Sequence, residues 1–370
     1  MKKTPSHLLY LAIVVVGIFP WVSIAQNQAF KFGISAPLSG VLAEYGAAVR
    51  NGVTLAMADN PETLSPKAVE IIYEDSQWDP KTAIAAFNAL KDIKKVSLIY
   101  NWGNPTSEAV APVAEQYKMP LLAMSSDYAI TKNKKYIIRT VPSAAAIGKM
   151  LAEHLRKKGY KHLGIVSAEN SYVRGLYEGV KAEYTGPGEL VDLIEQVALD
   201  QQDFKSLIVK IKNRPYDALG VFLISGQVGS FFKQSAVQGL RLPTFGADFF
   251  GSQTEIAAAG ESINGSVFPD LGVSKEFQQR YLKRFGNDIQ IAFAANAYDV
   301  ATMVGALFGN SESSSMTSDQ IVVRIKSSKN FSGAHGSYHY EDSPVYGPMM
   351  TTPIAIKGIR NNAIVELETR

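Results

Sequence analysis

From Phe30 onward the chain alternates short apolar runs with longer amphipathic stretches. FKFGIS (30–35), EIIYED (70–75), SLIYNW (97–102) and LLAMSS (121–126) form one set, and LGIVSA (163–168), DLIEQV (192–197), LGVFLI (219–224) and TFGADF (244–249) a second. Most are continuous apolar segments of strand length, as parallel strands buried on both faces require. After a first gap of 40 residues, the starts within each set lie 24 to 29 apart, room for one strand, one helix and two turns.

The segments between the runs carry helix signals. Tyr45, Val49, Val53 and Met57 recur every four residues until Pro61. Asp79-Pro80 reads as an N-cap followed by proline at the first helical position, with Ala83, Phe87 and Leu90 on one side. Ser143 caps a stretch carrying Ile147, Leu151 and Leu155. Arg156, Lys157 and Lys158 suit its negative C-terminal end, and Gly159 stops it. Ser274 opens another with Phe277, Tyr281 and Phe285, closed by Gly286. Each stripe needs a sheet to cover it, so the pattern predicts an α/β fold of two doubly wound parallel-sheet lobes.

The two arrays meet at residues 140–143. Helical stretches at 274–285, 291–308 and 317–326 and strands near 331–340 and 350–356 remain to be placed; SESSS (311–315) reads as a solvated loop. If these pieces complete both lobes, the chain crosses twice more, near 268–271 and 345–348. That assigns 26–142 plus 271–346 to lobe 1 and 143–270 plus 347–370 to lobe 2, joined by a multi-crossover hinge with a cleft between.

Residues 1–25 read as a secretory signal: Lys2 and Lys3, the uncharged run LLYLAIVVVGIF (8–19), then Ser23-Ile24-Ala25 with small residues where signal peptidase reads. That run is short of the ~20 apolar residues a membrane span needs, and no later stretch is expected to reach them. The mature chain is therefore expected to be soluble and exported.

Composition narrows the chemistry. With 37 Lys+Arg against 34 Asp+Glu the charge is too balanced for a protein that grips nucleic acid. No cysteine means no disulfide framework, thiolate-bound zinc, iron–sulfur cluster or thiol nucleophile. Phosphate-loop, dinucleotide-fingerprint and nucleophile-elbow patterns are missing. His335 and His339 have helical metal spacing, but Gly333, Gly336 and the alternating Tyr338 and Tyr340 suggest turn and strand. The expectation is a non-enzyme with no metal and no cofactor.

Ligands of open parallel sheets sit beyond the carboxyl ends of the strands. In the first lobe those ends are 35–45, 75–79, 101–106 and 125–128; in the second they are 169–172, 225–227 and 248–250. Asn104-Pro105-Thr106 resembles a helix start whose free N–H groups suit a carboxylate. Ser125 and Ser126 add hydroxyls, and Asp248 can accept from an ammonium. Tyr45, Trp102, Tyr172, Phe249 and Phe250 can cover an apolar body. Each has a plain structural alternative: serines in turns, Asp248 as a helix cap, Tyr172 as packing, Trp102 as core.

GISAPLSGVLAEYGAAVRNGVTLAM (33–57) resembles the opening of the leucine/isoleucine/valine-binding protein family, the type I periplasmic solute-binding proteins of ABC transporters. EDSQWDPKTAIAAFNAL (74–90), VSAENSYVRGLYEGVKAE (166–183) and DFKSLIVKIKNRPYDALGVF (203–222) are similar to later segments of that family, in order. The resemblance implies a hinged two-lobed receptor, acting as a monomer, that closes on an amino acid or related carboxylate and delivers it to a membrane permease. It implies carboxylate-holding groups at Asn101, Trp102, Gly103, Ser125 and Ser126, a stacking tyrosine at Tyr172, an ammonium-holding acid at Asp248 and an aromatic beside the ligand at Tyr45. Ser225, at a second-lobe strand end, completes the candidate set. Gly103 stands where the family often has a hydroxyl. Trp78 and Trp102 stand where some members have a cysteine pair, and they are expected to pack together instead. Asp248 is shorter than the family's common glutamate, which leaves room for a ligand other than leucine, isoleucine or valine. A sensory receptor with the same clamshell, an amide or urea binder, and an amidase-like hydrolase are the alternatives.

Overall fold

The computed structural model describes residues 28–310, 312–328 and 330–369; the export signal expected at 1–25 lies outside the described residues. The first array supplies β1 (Phe30–Ala36), α1 (Ala43–Asp59), β2 (Val69–Asp75), α2 (Pro80–Asn88), β3 (Leu98–Trp102), α3 (Asn104–Gln116), β4 (Leu121–Met124) and β5 (Ile137–Arg139). The second supplies α4 (Ala144–Lys157), β6 (His162–Ala168), α5 (Ser171–Glu183), β7 (Leu190–Val197), α6 (Lys205–Lys212), β8 (Ala218–Phe222), α7 (Val228–Val237), β9 (Thr244–Gly246), α8 (Gln253–Ala259) and β10 (Val267–Leu271). The remainder is α9 (Lys275–Phe285), α10 (Ile291–Phe308), α11 (Ser318–Lys326), β11 (Phe331–Gly333), β12 (Gly336–Ser343), β13 (Gly347–Thr351), β14 (Ile354–Arg360) and β15 (Ala363–Thr369).

These strands form two sheets. One has the order β11-β12-β13-β5-β4-β3-β1-β2 and the other β15-β14-β10-β9-β8-β6-β7. The parallel part of each follows the same path: the array's second strand at the edge, then its first, third, fourth and fifth. In each lobe the order reverses between the first and third strands, where a doubly wound sheet leaves its crevice. The added C-terminal strands are mostly antiparallel, so each sheet is mixed. Separate apolar cores lie on the sheets, with α9, α10 and α11 packed into the first lobe.

The caps read from sequence are present. Asp79 accepts from the Thr82 amide at 2.7 Å, Ser143 from Ala146 at 3.1 Å and Ser274 from Phe277 at 3.3 Å, while Gly286 ends α9 in the left-handed region. His335 and His339 fall on a turn and a strand.

Three details differ from expectation. β10 remains in the second sheet to Leu271, so the second crossing is at 272–274, where Gly272 donates to Pro353 and Ser274 to Ala334. β13 pairs with β5 and β12, so the third crossing falls at 352–353, later than 345–348. A strand pairs by hydrogen-bond register, and the hydrophobic pattern of GPMMT does not say which sheet will claim it. Finally, α10 is long and apolar enough to span a membrane by length and composition, but 72% of it is buried in the first lobe. It packs on α1 closely enough that a Cβ on Gly52 would stand 2.0 Å from the Ala294 carbonyl oxygen.

The first crossing is fixed to lobe 1 by buried polar contacts. Asn296 donates to the Thr140 carbonyl at 2.7 Å and accepts from the hydroxyls of Tyr100 and Thr140. The buried Arg139 guanidinium donates to the carbonyls of Val141 and Tyr346. The lobes are thus firmly rooted bodies joined by short two- to four-residue links, the architecture of a hinge.

Candidate functional site

The strand ends of both lobes face a single cleft with about 780 Å3 of empty volume, open solvent at its mouth included. The first lobe contributes Leu42 and Tyr45 from the start of α1, Trp78, and Trp102 to Pro105 at the β3–α3 junction. Met124, Ser126 and, from α10, Phe293 complete that wall. The second lobe contributes Asn170, Tyr172, Asp248, Phe249 and the β10 residues Pro269 to Leu271.

The lobe 1 wall is aromatic. Tyr45, Trp102 and Phe293 form a closed triad with ring centroids 5.0 to 5.5 Å apart. Among the described residues Trp78 is not a ring partner of Trp102, contrary to the expected pairing. The Trp78 ring instead lies over Gly103, where a Cβ would approach it to 3.1 Å. Gly103 has φ 98° and caps α3, so glycine here serves both the backbone conformation and the space under Trp78.

Asn104 organises the polar rim. Its Oδ1 accepts from the Ser125 hydroxyl at 3.1 Å and the Ser126 amide at 3.0 Å, and its Nδ2 donates to Ser126 and, across the cleft, to Ser171. The Ser171 hydroxyl donates in turn to the Glu108 carboxylate. Burial pushes the Tyr45 phenol up, and Ser225 of the second lobe works the other way.

In the lobe 2 wall, Asn170 caps α5 by accepting from the Tyr172 amide at 2.9 Å, which holds the Tyr172 ring against Phe249 with centroids 6.1 Å apart. The Tyr172 hydroxyl and the Asp248 carboxylate stand close enough to act on each other's proton affinity. Asp248 Oδ1 is shut off from solvent and has no partner. Burial, and then the charge of Asp270, push the Asp248 carboxyl up to about 7, while Tyr172 works the other way. Asp270 itself is paired with Lys357 at 2.5 Å. A second orphan stands in the opposite wall: the Nε1 of Trp102, a residue 5% exposed, donates to nothing in the protein. Each wall thus holds a buried polar atom without a partner, a donor in the first lobe and an acceptor in the second.

Of the sequence candidates, Tyr45, Trp102, Gly103, Ser126, Tyr172 and Asp248 line this cleft, and Asn101, Ser125 and Ser225 stand behind it. Asn101 turns inward and donates to Thr106 at 3.1 Å and Ser107 at 2.9 Å, bracing α3. Ser125 supports Asn104, and Ser225 stands by Tyr45. The strand-end acids Asp75 and Asp79 are also spoken for. Asp75 is held low, against the opposing effect of burial, by the Ser39 hydroxyl and the Gln77 and Leu38 amides; Asp79 is held low by Thr82. Sequence reasoning missed Asn104 as the rim's organiser, and it missed Asp270 and Phe293. Asp270 sat in a segment read as a crossing, and Phe293 in a uniformly apolar helix, so neither carried a local signal.

A family model described as "Periplasmic binding protein" matches residues 29–355. The Leu/Ile/Val-binding protein homolog 6 of Brucella abortus is 26% identical over 310 residues, 78% of each chain. Among solved structures, a leucine-binding protein of Thermotoga maritima superposes with TM-score 0.80 at 21% identity, covering 92% of this chain and 98% of that one. A solute-binding protein of an R. palustris ABC transporter, solved in complex with benzoate, superposes with TM-score 0.76 at 19% identity, covering 92% and 96%.

Proposed function

The chain belongs to the periplasmic binding protein family, and we propose that it captures an amino acid or closely related carboxylate by closing its lobes on it and delivers it unaltered to an ABC transporter permease. The observation that carries this reading is the orphan pair: an unpartnered acid oxygen at Asp248 and an unpartnered indole N–H at Trp102 in facing walls. An ammonium group satisfies the first and a carboxylate the second, with the side chain among Tyr45, Trp78, Tyr172, Phe249 and Phe293. Buried polar groups left unpaired are costly, so a ligand that supplies both partners gains from each.

Hinge closure follows from the division of contacts. The donor belongs to lobe 1 and the acceptor to lobe 2, so a zwitterion binds best when both lobes are engaged and shifts the population to the closed form. Family membership and the leader-like residues 1–25 support a periplasmic location, with the protein acting as a monomer. A small receptor of the same form that reports to a signalling partner would use the same cleft.

A second reading has its own observation. The cleft is ringed by aromatic side chains, and the R. palustris protein of the same fold is a benzoate complex. A benzoate-type acid would leave Asp248 without a cation. Isothermal titration calorimetry with L-leucine, L-phenylalanine and benzoate separates the two. On the first reading Asp248→Asn weakens amino-acid binding by about 10- to 100-fold, the size of a charge-assisted hydrogen bond. Equal affinity in the variant, or binding of benzoate alone, would sink it.

A further inference from the structure

The lobe 2 wall holds more acid than a single ammonium acceptor requires. Asp270 comes from β10, the strand that leads into the second crossing, and lines the cleft beside Asp248. Lys357 of β14 pairs with Asp270 and not with Asp248. Tyr172 of α5 meets Asp248 from a third side, and Tyr45 of α1 faces it across the cleft. Neither tyrosine brings a positive charge. Behind the two acids lies a second, polar cavity that shares Asp248, Asp270 and Phe293 with the cleft. It is lined further by Lys275 of α9, Asp288, Lys357 and Glu366 of β15. The acid pair is thus a partition between an aromatic chamber and a polar one.

We propose that Asp270 sets the charge of this pocket: below neutrality Asp248 carries a proton in the empty cleft, and an ammonium-bearing solute drives that proton out, so that uptake there is coupled to proton release to solvent. The inference rests on the reading of the cleft as a site for an ammonium-bearing solute. Two carboxylates line one wall, and Lys357 is paired with Asp270 alone, so a proton on Asp248 is favoured over a second, uncompensated charge. When R–NH3+ arrives, the O–H bond of Asp248 breaks, the carboxylate forms, and its Oδ1 accepts from the ammonium. The proton passes to water, for which the polar cavity gives an exit that the bound solute does not block. The charge of the wall is balanced before and after. The upward displacement of the Asp248 carboxyl to about 7, caused by burial and then by Asp270, places this exchange in the neutral range.

The sign of the pH dependence follows. Below neutrality the solute must displace a proton, so its affinity falls; above, Asp248 is already ionised and affinity levels off. Between pH 8 and pH 6 the loss is about tenfold, and proton release rises from near zero to near one per solute. Asp270 is a specificity-determining residue in this scheme, because it makes an uncharged partner unable to replace the lost proton.

Two measurements test it. In the empty protein, the side-chain 13C resonance of Asp248, assigned by its loss in Asp248→Asn, is titrated from pH 5 to 9. Calorimetry with L-leucine and L-phenylalanine at pH 6.5 in phosphate and in imidazole, whose ionisation enthalpies differ, counts the protons released. We expect a midpoint near 7 and proton release on binding, both lowered by Asp270→Asn. Lys357→Met, which leaves Asp270 unneutralised, moves the midpoint the other way and keeps the test open should Asp270→Asn not fold. An Asp248 midpoint in the ordinary carboxylate range overturns the proposal whether or not either amino acid binds. So does amino-acid binding with no proton release at pH 6.5. A midpoint near 7 in a protein that binds neither amino acid sustains the acid pair and overturns the amino-acid reading.

Discussion

At the scale of the residue, the site is a set of polar groups kept short of partners. Asp248 is the costliest. Its carboxyl is displaced upward by burial and Asp270, so the native state holds this proton over a range in which the unfolded chain has released it. Stability contributed by that group therefore falls as pH rises from about 4 to about 7. Asp248→Asn removes the penalty. The empty variant should melt at a higher temperature than the parent at pH 8, with the gain shrinking toward pH 4.5. Differential scanning calorimetry at the two pH values reads this directly, and an unchanged melting point at pH 8 contradicts burial and Asp270 as the origin of the shift. The strand-end rule brought Asp248, Tyr172 and Trp102 to the cleft wall because each stands at or just beyond the carboxyl end of a strand. It misjudged Asn101, one residue before Trp102, because successive strand residues face opposite sides and Asn101 turned to α3.

At the scale of the element, caps and stripes were legible because they are local. Ser143, Asp79 and Ser274 each lie within three residues of the amide they satisfy. The three-residue strands β5 and β9 are too short to carry a pattern of their own and are held by neighbours on both sides. Helix spacing was equally hidden. On α4 and α5, Gly148 and Gly179 let the two backbones meet: a Cβ on Gly148 would lie 2.3 Å from the Leu176 carbonyl oxygen, and one on Gly179 2.2 Å from that of Ala145. Helix propensity alone favours Gly148→Ala by about 1 kcal/mol. The clash is with backbone and cannot be relieved by a rotamer, so a net loss of about 1–3 kcal/mol is expected in urea unfolding. A more stable variant would mean that α4 and α5 stand further apart in solution.

At the scale of the whole molecule, the two lobes meet through few contacts. Ser171 at the start of α5 donates to Glu108 and receives from Asn104, joining the rims of the cleft away from the acid pair. Glu108 is pushed up by burial, with the Ser171 hydroxyl opposing. Removing that hydroxyl leaves the cleft walls intact and loosens the closed form. Ser171→Ala should weaken amino-acid binding by about three- to tenfold, the worth of one ordinary hydrogen bond. It should also enlarge the solution radius of the ligand-free protein in small-angle scattering. If neither quantity changes, the bridge does not contribute to closure.

The alternation of buried strands and amphipathic helices, fixed by local periodicity and capping, was enough to establish two doubly wound lobes and to place the cleft at their strand ends. Residue order also carried the family resemblance that the chain-wide match bears out. What the sequence left open depends on groups distant along the chain. Asp270 beside Asp248, Phe293 against Tyr45, and Ser171 against Glu108 are neighbours only because two sheets and a hinge bring them together. The same is true of β13, whose sheet was chosen by hydrogen-bond register with β5 and β12. Local preference decides which elements form; the field, the packing and the missing partners inside the cleft exist only once those elements share one space.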